Sequence, residues 1–206
     1  MKIICIGRNY AEHAHELGNS LPDEMLFFLK PETAFHNQAV FYLPDFLGEI
    51  HHEIELVVKI NKTGKNIEEK FAHNYYNELT VGIDFTARDL QEKLRKQGYP
   101  WEKAKAFDHS AVVGKFLEKD QFLKHDKSIS DLNFHLLKNK NKVQHGFAKN
   151  MIYTLDQIIA EVSKYFTLKV GDLIFTGTPS GVAAVNIGDT LEGFLMDNPL
   201  FSLQIK

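Results

Sequence analysis

The chain has 206 residues, 44% of them hydrophobic and 25% charged, enough for one domain with an apolar core and a composition that excludes a disordered chain. Its net charge of -3 leaves no basic excess to draw it to nucleic acid or to an anionic membrane surface. The expectation is a single domain over residues 1–206 whose partners are small molecules or a second copy of itself.

Lys2–Ile6 is rich in β-branched residues and ends at Gly7, a first strand. The single cysteine, Cys5, lies in this run. It has no partner for an internal disulfide, which fits a reducing compartment. With only Arg8 nearby as a cation, it reads as a buried strand residue rather than a reactive thiol. The apolar run Ile3-Ile4-Cys5-Ile6 is far shorter than the roughly 7–15 residues of a signal-peptide core, and no stretch approaches the ~20 of a membrane span. The expected location is the cytoplasm, with no membrane partner.

Tyr10–Leu17 carries helix formers up to a stop at Gly18-Asn19. Met25–Leu29 and Val40–Leu43 predict short strands, His51–Ile60 the longest strand, and Leu79–Phe85 its neighbour. A helix over Ala87–Lys96 ends before Gly98-Tyr99-Pro100. Leu132–Leu137 and Lys142–His145 flank a turn at Asn139–Asn141. Thr154–Tyr165 predicts a further helix: Thr154 and Gln157 have the spacing of a capping box, in which each side chain satisfies the other's backbone N–H. Ile158, Ile159, Val162 and Phe166 then fall on one stripe. Leu173–Phe175, Thr190–Leu195 and Phe201–Ile205 complete a β-dominated mixed α+β fold with two or three peripheral helices.

The most informative stretch is His51-His52-Glu53-Ile54-Glu55-Leu56-Val57-Val58. Successive strand side chains point to opposite faces, so Glu53 and Glu55 share one face and Ile54 and Leu56 the other. Two like charges so close repel unless water or a cation compensates them. A solvated strand face is the plainer explanation of such a pair. Val57, however, continues the Glu face as an apolar residue, which turns that face inward. Asp84 closes the apolar run Val81-Gly82-Ile83 as a third carboxylate. Hard oxygen ligands suit Mg²⁺ or Mn²⁺. A closed zinc site would want cysteines or more histidines. Alternation puts His51 on the Glu side and His52 opposite, so His51 is expected beside the cluster as a supporting or packing residue.

These residues belong to a longer series of blocks: Gly7-Arg8-Asn9-Tyr10, Phe28-Leu29-Lys30-Pro31, His52-Glu53-Ile54-Glu55-Leu56, Asp84-Phe85-Thr86-Ala87-Arg88-Asp89-Leu90-Gln91, Ala104-Lys105-Ala106-Phe107-Asp108 and Gly171-Asp172-Leu173-Ile174-Phe175-Thr176-Gly177-Thr178-Pro179. In these blocks and their order the chain resembles the fumarylacetoacetate hydrolase superfamily, in its compact form akin to acylpyruvases and oxaloacetate decarboxylases. The resemblance spans nearly the whole chain. It implies a β-sandwich roll of the family's C-terminal domain type, usually a homodimer, with Mg²⁺ or Mn²⁺ held by Glu53, Glu55 and Asp84. It also implies substrates carrying a 2-oxo carboxylate. Two stretches depart from the family pattern. Gly146-Phe147-Ala148-Lys149-Asn150-Met151 replaces the frequent Gly-Asn-Thr-Ser-Asp-Met, and Ser180 stands for the lysine usual after Pro179, with Ala183-Ala184 following Gly181-Val182. Both spare the metal ligands and bear on substrate identity.

Taken alone, Glu12, His13, His15 and Glu16 read as a solvent-facing polar helix. Within the resemblance, His13 and Glu16 match a His-x-x-Glu pair on a lid over the metal. Three residues apart on a helix, they share a face, so the carboxylate can orient the imidazole as a general base. Lys105 matches the family's active-site lysine, a cation for developing oxyanion charge. Arg88 and Gln91 share a helical face and are expected to grip the far polar groups of the substrate, an Arg fork suiting a carboxylate. Thr178 offers a hydroxyl and a backbone N–H, and Arg8 and Lys30 are expected to close the site. The leading expectation is metal-dependent hydrolysis of a C–C bond in acylpyruvate-like 2,4-dioxo acids through an enolate. The alternatives are an oxaloacetate decarboxylase or tautomerase, or a dienoic-acid isomerase, on the same site. Of another class is a non-catalytic small-molecule binding protein with the same fold.

Overall fold

The computed structural model describes residues 1–11, 23–123 and 128–206. In chain order the strands are β1 (Ile3–Gly7), β2 (Leu26–Lys30), β3 (Phe35–His36), β4 (Val40–Phe41), β5 (Ile50–His52), β6 (Ile54–Ile60), β7 (Tyr76–Asp84), β8 (Thr86–Ala87), β9 (Ala111–Val113), β10 (Leu117–Glu118), β11 (Asn133–Lys138), β12 (Asn141–Phe147), β13 (Leu173–Phe175), β14 (Ala183–Ala184), β15 (Thr190–Leu195) and β16 (Asn198–Ile205). The α-helices among the described residues are α1 (Glu69–Ala72), α2 (Arg88–Gln97), α3 (Glu102–Lys105) and α4 (Leu155–Tyr165). An eight-stranded sheet runs β2-β1-β13-β6-β7-β9-β3, with β10 also on β7; a five-stranded sheet runs β12-β11-β15-β16-β4; and β14-β5-β8 form a small third sheet. This is the expected strand-dominated architecture with few helices.

The alternation of β6 explains why it is central. Ile54, Leu56, Val58 and Ile60 face the main core, while Val57 packs with Ile3, Cys5, Leu173 and Phe175 in a second cluster on the other side. Both faces of the strand are therefore dry, and Glu55 is buried with Val57. Antiparallel β7 pairs Glu55 with Gly82 and Ile54 with Ile83. Gly82 must lack a side chain: a Cβ there would stand 2.5 Å from the Val112 carbonyl oxygen and 2.7 Å from the Phe175 ring.

The structure divides the strand expected over His51–Ile60. Its first part, β5, leaves the large sheet to pair with β8 and β14, so Glu53 sits at the corner between two sheets. The return strand turns the same corner, Phe85 separating β7 from β8. The Asp84 N–H donates to the Glu53 carbonyl (2.9 Å), which fixes these two residues side by side. Other differences are at boundaries, where β7 begins at Tyr76, β12 extends to Phe147 and β16 begins at Asn198, and in short elements beyond the expected ones: α1, α3, β3, β8, β9, β10 and β14.

Two helix ends follow their local chemistry. The capping box forms, Gln157 N donating to Thr154 Oγ1 (3.3 Å) and Thr154 N to Gln157 Oε1 (3.0 Å), and Ile158, Ile159 and Val162 of α4 are buried. Gly98 ends α2 in the left-handed conformation, φ 68°, where a Cβ would be strained. The helix expected over Tyr10–Leu17, with His13 and Glu16, lies outside the described residues beyond Ala11. Among the described residues no helix is long and apolar enough to cross a membrane.

Candidate active site

The corner between the sheets brings Glu53, Glu55 and Asp84 together. One carboxylate oxygen from each lies within 4.8 Å of the other two, and all three side chains are buried. Glu53 comes from the β5–β6 corner, Glu55 from β6 and Asp84 from the end of β7. They open on a cavity of about 380 Å³ walled by Arg8, His51, Arg88, Gln91, Trp101, Lys105 and Thr178 among others.

Two buried lysines flank Asp84. From α3, Lys105 Nζ lies 2.8 Å from Glu53 Oε2, 2.8 Å from Asp84 Oδ2 and 2.6 Å from Thr86 Oγ1. Burial would pull its pKa down, but Asp84 and Glu53 more than offset that and hold it above the ordinary lysine value. On the other side, Lys30 Nζ stands 2.6 Å from Asp84 Oδ1 and donates to the carbonyl and hydroxyl of Ser110 (2.9 and 3.0 Å). The Ser110 hydroxyl in turn donates to the Lys105 carbonyl (2.9 Å), linking the Lys30 ammonium to the Lys105 backbone. Arg88 Nη2 ion-pairs with Glu53 Oε1, while Nη1 donates to Gln91 Oε1 (2.7 Å).

Glu55 is the least compensated member. The Gly177 N–H donates to its Oε2 (2.7 Å). Burial first, then the charges of Asp84 and Glu53, push its pKa well above the usual carboxylate range. Asp84 Oδ1 is buried and, although beside Lys30, makes no aligned hydrogen bond. Three converging buried carboxylates, one of them driven toward its neutral form, fit a hard divalent cation. The donor set is oxygen only, as Mg²⁺ or Mn²⁺ prefers, and includes no thiolate or imidazole of the kind zinc favours.

The turn that holds Glu55 is built to stay in place. Gly177 has φ 99°, and a Cβ there would meet Asn9 Cβ at 2.7 Å. Asn9 is buried and bonds to the Thr176 carbonyl (2.8 Å) and to both the N–H and C=O of Tyr153 (2.7 and 3.0 Å). Pinning Asn9 places its neighbour Arg8 in the left-handed region, φ 56°, with its side chain on the cavity wall. A non-glycine residue held there marks local strain, which concentrates at functional sites.

Of the residues singled out from sequence, Glu53, Glu55, Asp84, Lys105, Arg88, Gln91, Thr178 and Arg8 meet at this cavity. Lys30 does not stand on its wall: it is buried behind Asp84, a counter-ion rather than a gate. His51 lies on the wall, its Nδ1 3.4 Å from Arg88 Nε and its Nε2 paired with Glu49. His13 and Glu16 lie outside the described residues. Sequence reasoning missed Ser110, Asn9, Gln144 and His52. Each is a polar residue buried in the scaffold around the site, and none has a neighbour in sequence that hints at its partner.

The fumarylacetoacetate (FAA) hydrolase C-terminal family model matches residues 2–200, and the chain belongs to this family. It is 39% identical over 191 residues to an oxaloacetate tautomerase of Escherichia coli, covering 92% of this chain and 86% of that one. To a mitochondrial oxaloacetate tautomerase of Mus musculus it is 38% identical over 191 residues, covering 92% and 85%. Among solved structures, the fumarylpyruvate hydrolase of Pseudomonas aeruginosa in complex with Mn²⁺ and pyruvate superimposes with a TM-score of 0.91 at 34% identity, covering 100% of this chain and 89% of that one.

Proposed function

We propose that this chain is a divalent-metal-dependent enzyme that interconverts the keto and enol forms of oxaloacetate or a close 2-oxo dicarboxylate. The observation that carries this reading is the convergence of three buried carboxylates and one buried ammonium, Lys105, on a cavity that also presents Arg88 and Thr178. A Mg²⁺ or Mn²⁺ ion held by Glu53, Glu55 and Asp84 would supply Lewis acidity to a 2-oxo carboxylate, easing the build-up of negative charge on its 2-oxo oxygen. Lys105, kept protonated by Asp84 and Glu53, adds a fixed positive charge to the same dry wall. Arg88, steadied by Gln91, and Arg8 offer guanidinium forks to the far carboxylate. Tautomerisation takes a proton from C3 and returns one to the 2-oxo oxygen. His13, oriented by Glu16, is assigned to the C3 proton, worth roughly 10²–10⁴-fold for a positioned base. The names of the relatives support oxaloacetate as substrate.

Hydrolysis of a 2,4-dioxo acid, the leading expectation from sequence, stands as the second reading. The likeness to the Mn²⁺- and pyruvate-bound fumarylpyruvate hydrolase favours it. It asks more of the dyad, which must then activate water. We further propose a cytoplasmic homodimer, in keeping with a lone buried Cys5; sedimentation velocity tests the dimer.

The discriminating experiment follows ketonisation of enol-oxaloacetate beside pyruvate release from acetylpyruvate, each with and without Mg²⁺. Metal-dependent ketonisation without acetylpyruvate cleavage is the expected result. Cleavage of acetylpyruvate at a comparable rate would make hydrolase the better name. Binding of 2-oxo acids with turnover of neither would reduce the protein to a carrier.

A further inference from the structure

Gln144 projects from β12, in the five-stranded sheet, to the turn that closes the active site. It is buried, and all four of its polar positions are used. Oε1 accepts from the Ile54 backbone N–H (3.1 Å) and from His52 Nδ1 (2.8 Å). Nε2 donates to the Pro179 carbonyl (3.0 Å) and to Thr178 Oγ1 (2.9 Å). The two backbone partners fix the orientation of the amide without appeal to the side chains, because an N–H can only donate and a carbonyl can only accept. It follows that Nε2 donates to Thr178, and that the Thr178 hydroxyl proton points away from Gln144. It also follows that His52 carries its proton on Nδ1; its Nε2 is buried without a partner.

Thr178 is 4% exposed and stands on the cavity wall with the three carboxylates. Its oxygen is already an acceptor toward Gln144, and it donates to none of the described residues. The outlet for its proton is the cavity. We infer that Gln144 is a positioning residue that makes Thr178 an obligate hydrogen-bond donor toward the carboxylate of a 2-oxo acid. The same amide ties the start of β6, between Glu53 and Glu55, to the Gly177-Thr178-Pro179 turn, whose N–H holds Glu55. This inference rests on the 2-oxo acid reading of the site.

The test is a double-mutant cycle on ligand affinity rather than turnover. Oxalate binding to the Mn²⁺-loaded protein is measured by titration calorimetry for the wild type, Gln144→Met, Thr178→Val and the double variant. Mn²⁺ affinity and melting temperature are measured beside it. Each single change should weaken oxalate roughly ten- to hundredfold, the range a hydrogen bond to a charged group carries. The double variant should be no weaker than Thr178→Val alone, and Mn²⁺ affinity should hold. If Gln144→Met does not fold, Gln144→Glu keeps the oxygen that serves His52 and Ile54 and is read the same way. A Gln144 effect that persists in full in the Thr178→Val background, or that merely follows a loss of Mn²⁺, would overturn the inference. A wild type that binds Mn²⁺ but not oxalate would overturn the reading of the site and this inference with it.

Discussion

Two buried polar centres meet at Glu53, and they are built on opposite terms. Around Gln144 every partner is neutral, and each polar position of the amide is matched within the protein. Around Glu55 three carboxylates crowd together, and the flanking ammoniums contact Asp84 and Glu53. Satisfied polar networks rigidify a core, whereas crowded like charges are costly to bury and persist where something is to bind. The neutral centre is the brace and the charged one the acidic end of the site, although His52 and Ile54 of the first flank Glu53 of the second along β5 and β6.

Glu55→Gln tests that division with the largest expected effect. The charge removed is one that burial and two like charges already disfavour. Mn²⁺ affinity should therefore fall more than the 10–100-fold typical of residues that only support a ligand. The metal-free protein should melt no lower than wild type, because removing such a charge relieves repulsion. Calorimetry and metal-free thermal melting report the two halves. A clear drop in the metal-free melting temperature would mean that Glu55 supports the fold itself, and the contrast between the centres would fail.

Lys30→Met should come next in size, and with the opposite signature. Lys30 is buried behind Asp84, and removing it leaves that carboxylate facing its back wall uncompensated. Breaking a buried pair by deleting one partner costs about 3–5 kcal/mol, to be read from urea unfolding without metal. A cost under ~1 kcal/mol would show that Lys105 alone suffices for Asp84.

How much of this was legible in the sequence depends on the range of the interactions. Period-two alternation put Glu55 with Val57 on an inward face, and the structure buries both. The corner at Glu53 was not legible, because β8 and β14, which draw β5 away, are two residues long and remote in sequence. Lys30 was expected to close the site, and only the fold, by placing Ser110 and Asp84 around it, makes it a buried counter-ion. Gln144 was hidden for a more instructive reason. In Val143-Gln144-His145-Gly146-Phe147 the apolar pattern points the wrong way: Gln144 and Gly146 are buried, while Val143 and Phe147 are only partly covered. The Phe134 ring fills the inner side, where a Cβ on Gly146 would lie 2.4 Å from it. A strand that uses a neighbour's aromatic ring in place of its own side chains gives no hydrophobic signal.

Local chemistry, by contrast, was legible in full at Thr154, and it supplies the smallest expected effect. The capping box closes α4 with residues three apart, and the helix then buries Ile158, Ile159 and Val162 in the main core. Thr154→Ala should cost about 1 kcal/mol, as loss of an N-cap does, a fall of roughly 2–4 °C in melting temperature for a chain of this size. Mn²⁺ affinity should stay at the wild-type value, since the cap contacts neither polar centre. A cap that costs stability and spares the metal is what a scaffold independent of its site predicts. If Mn²⁺ affinity instead fell with Thr154→Ala, the charged centre would be drawing on the packing of α4, and the boundary between scaffold and site would have to be moved outward from Gln144 to include that helix.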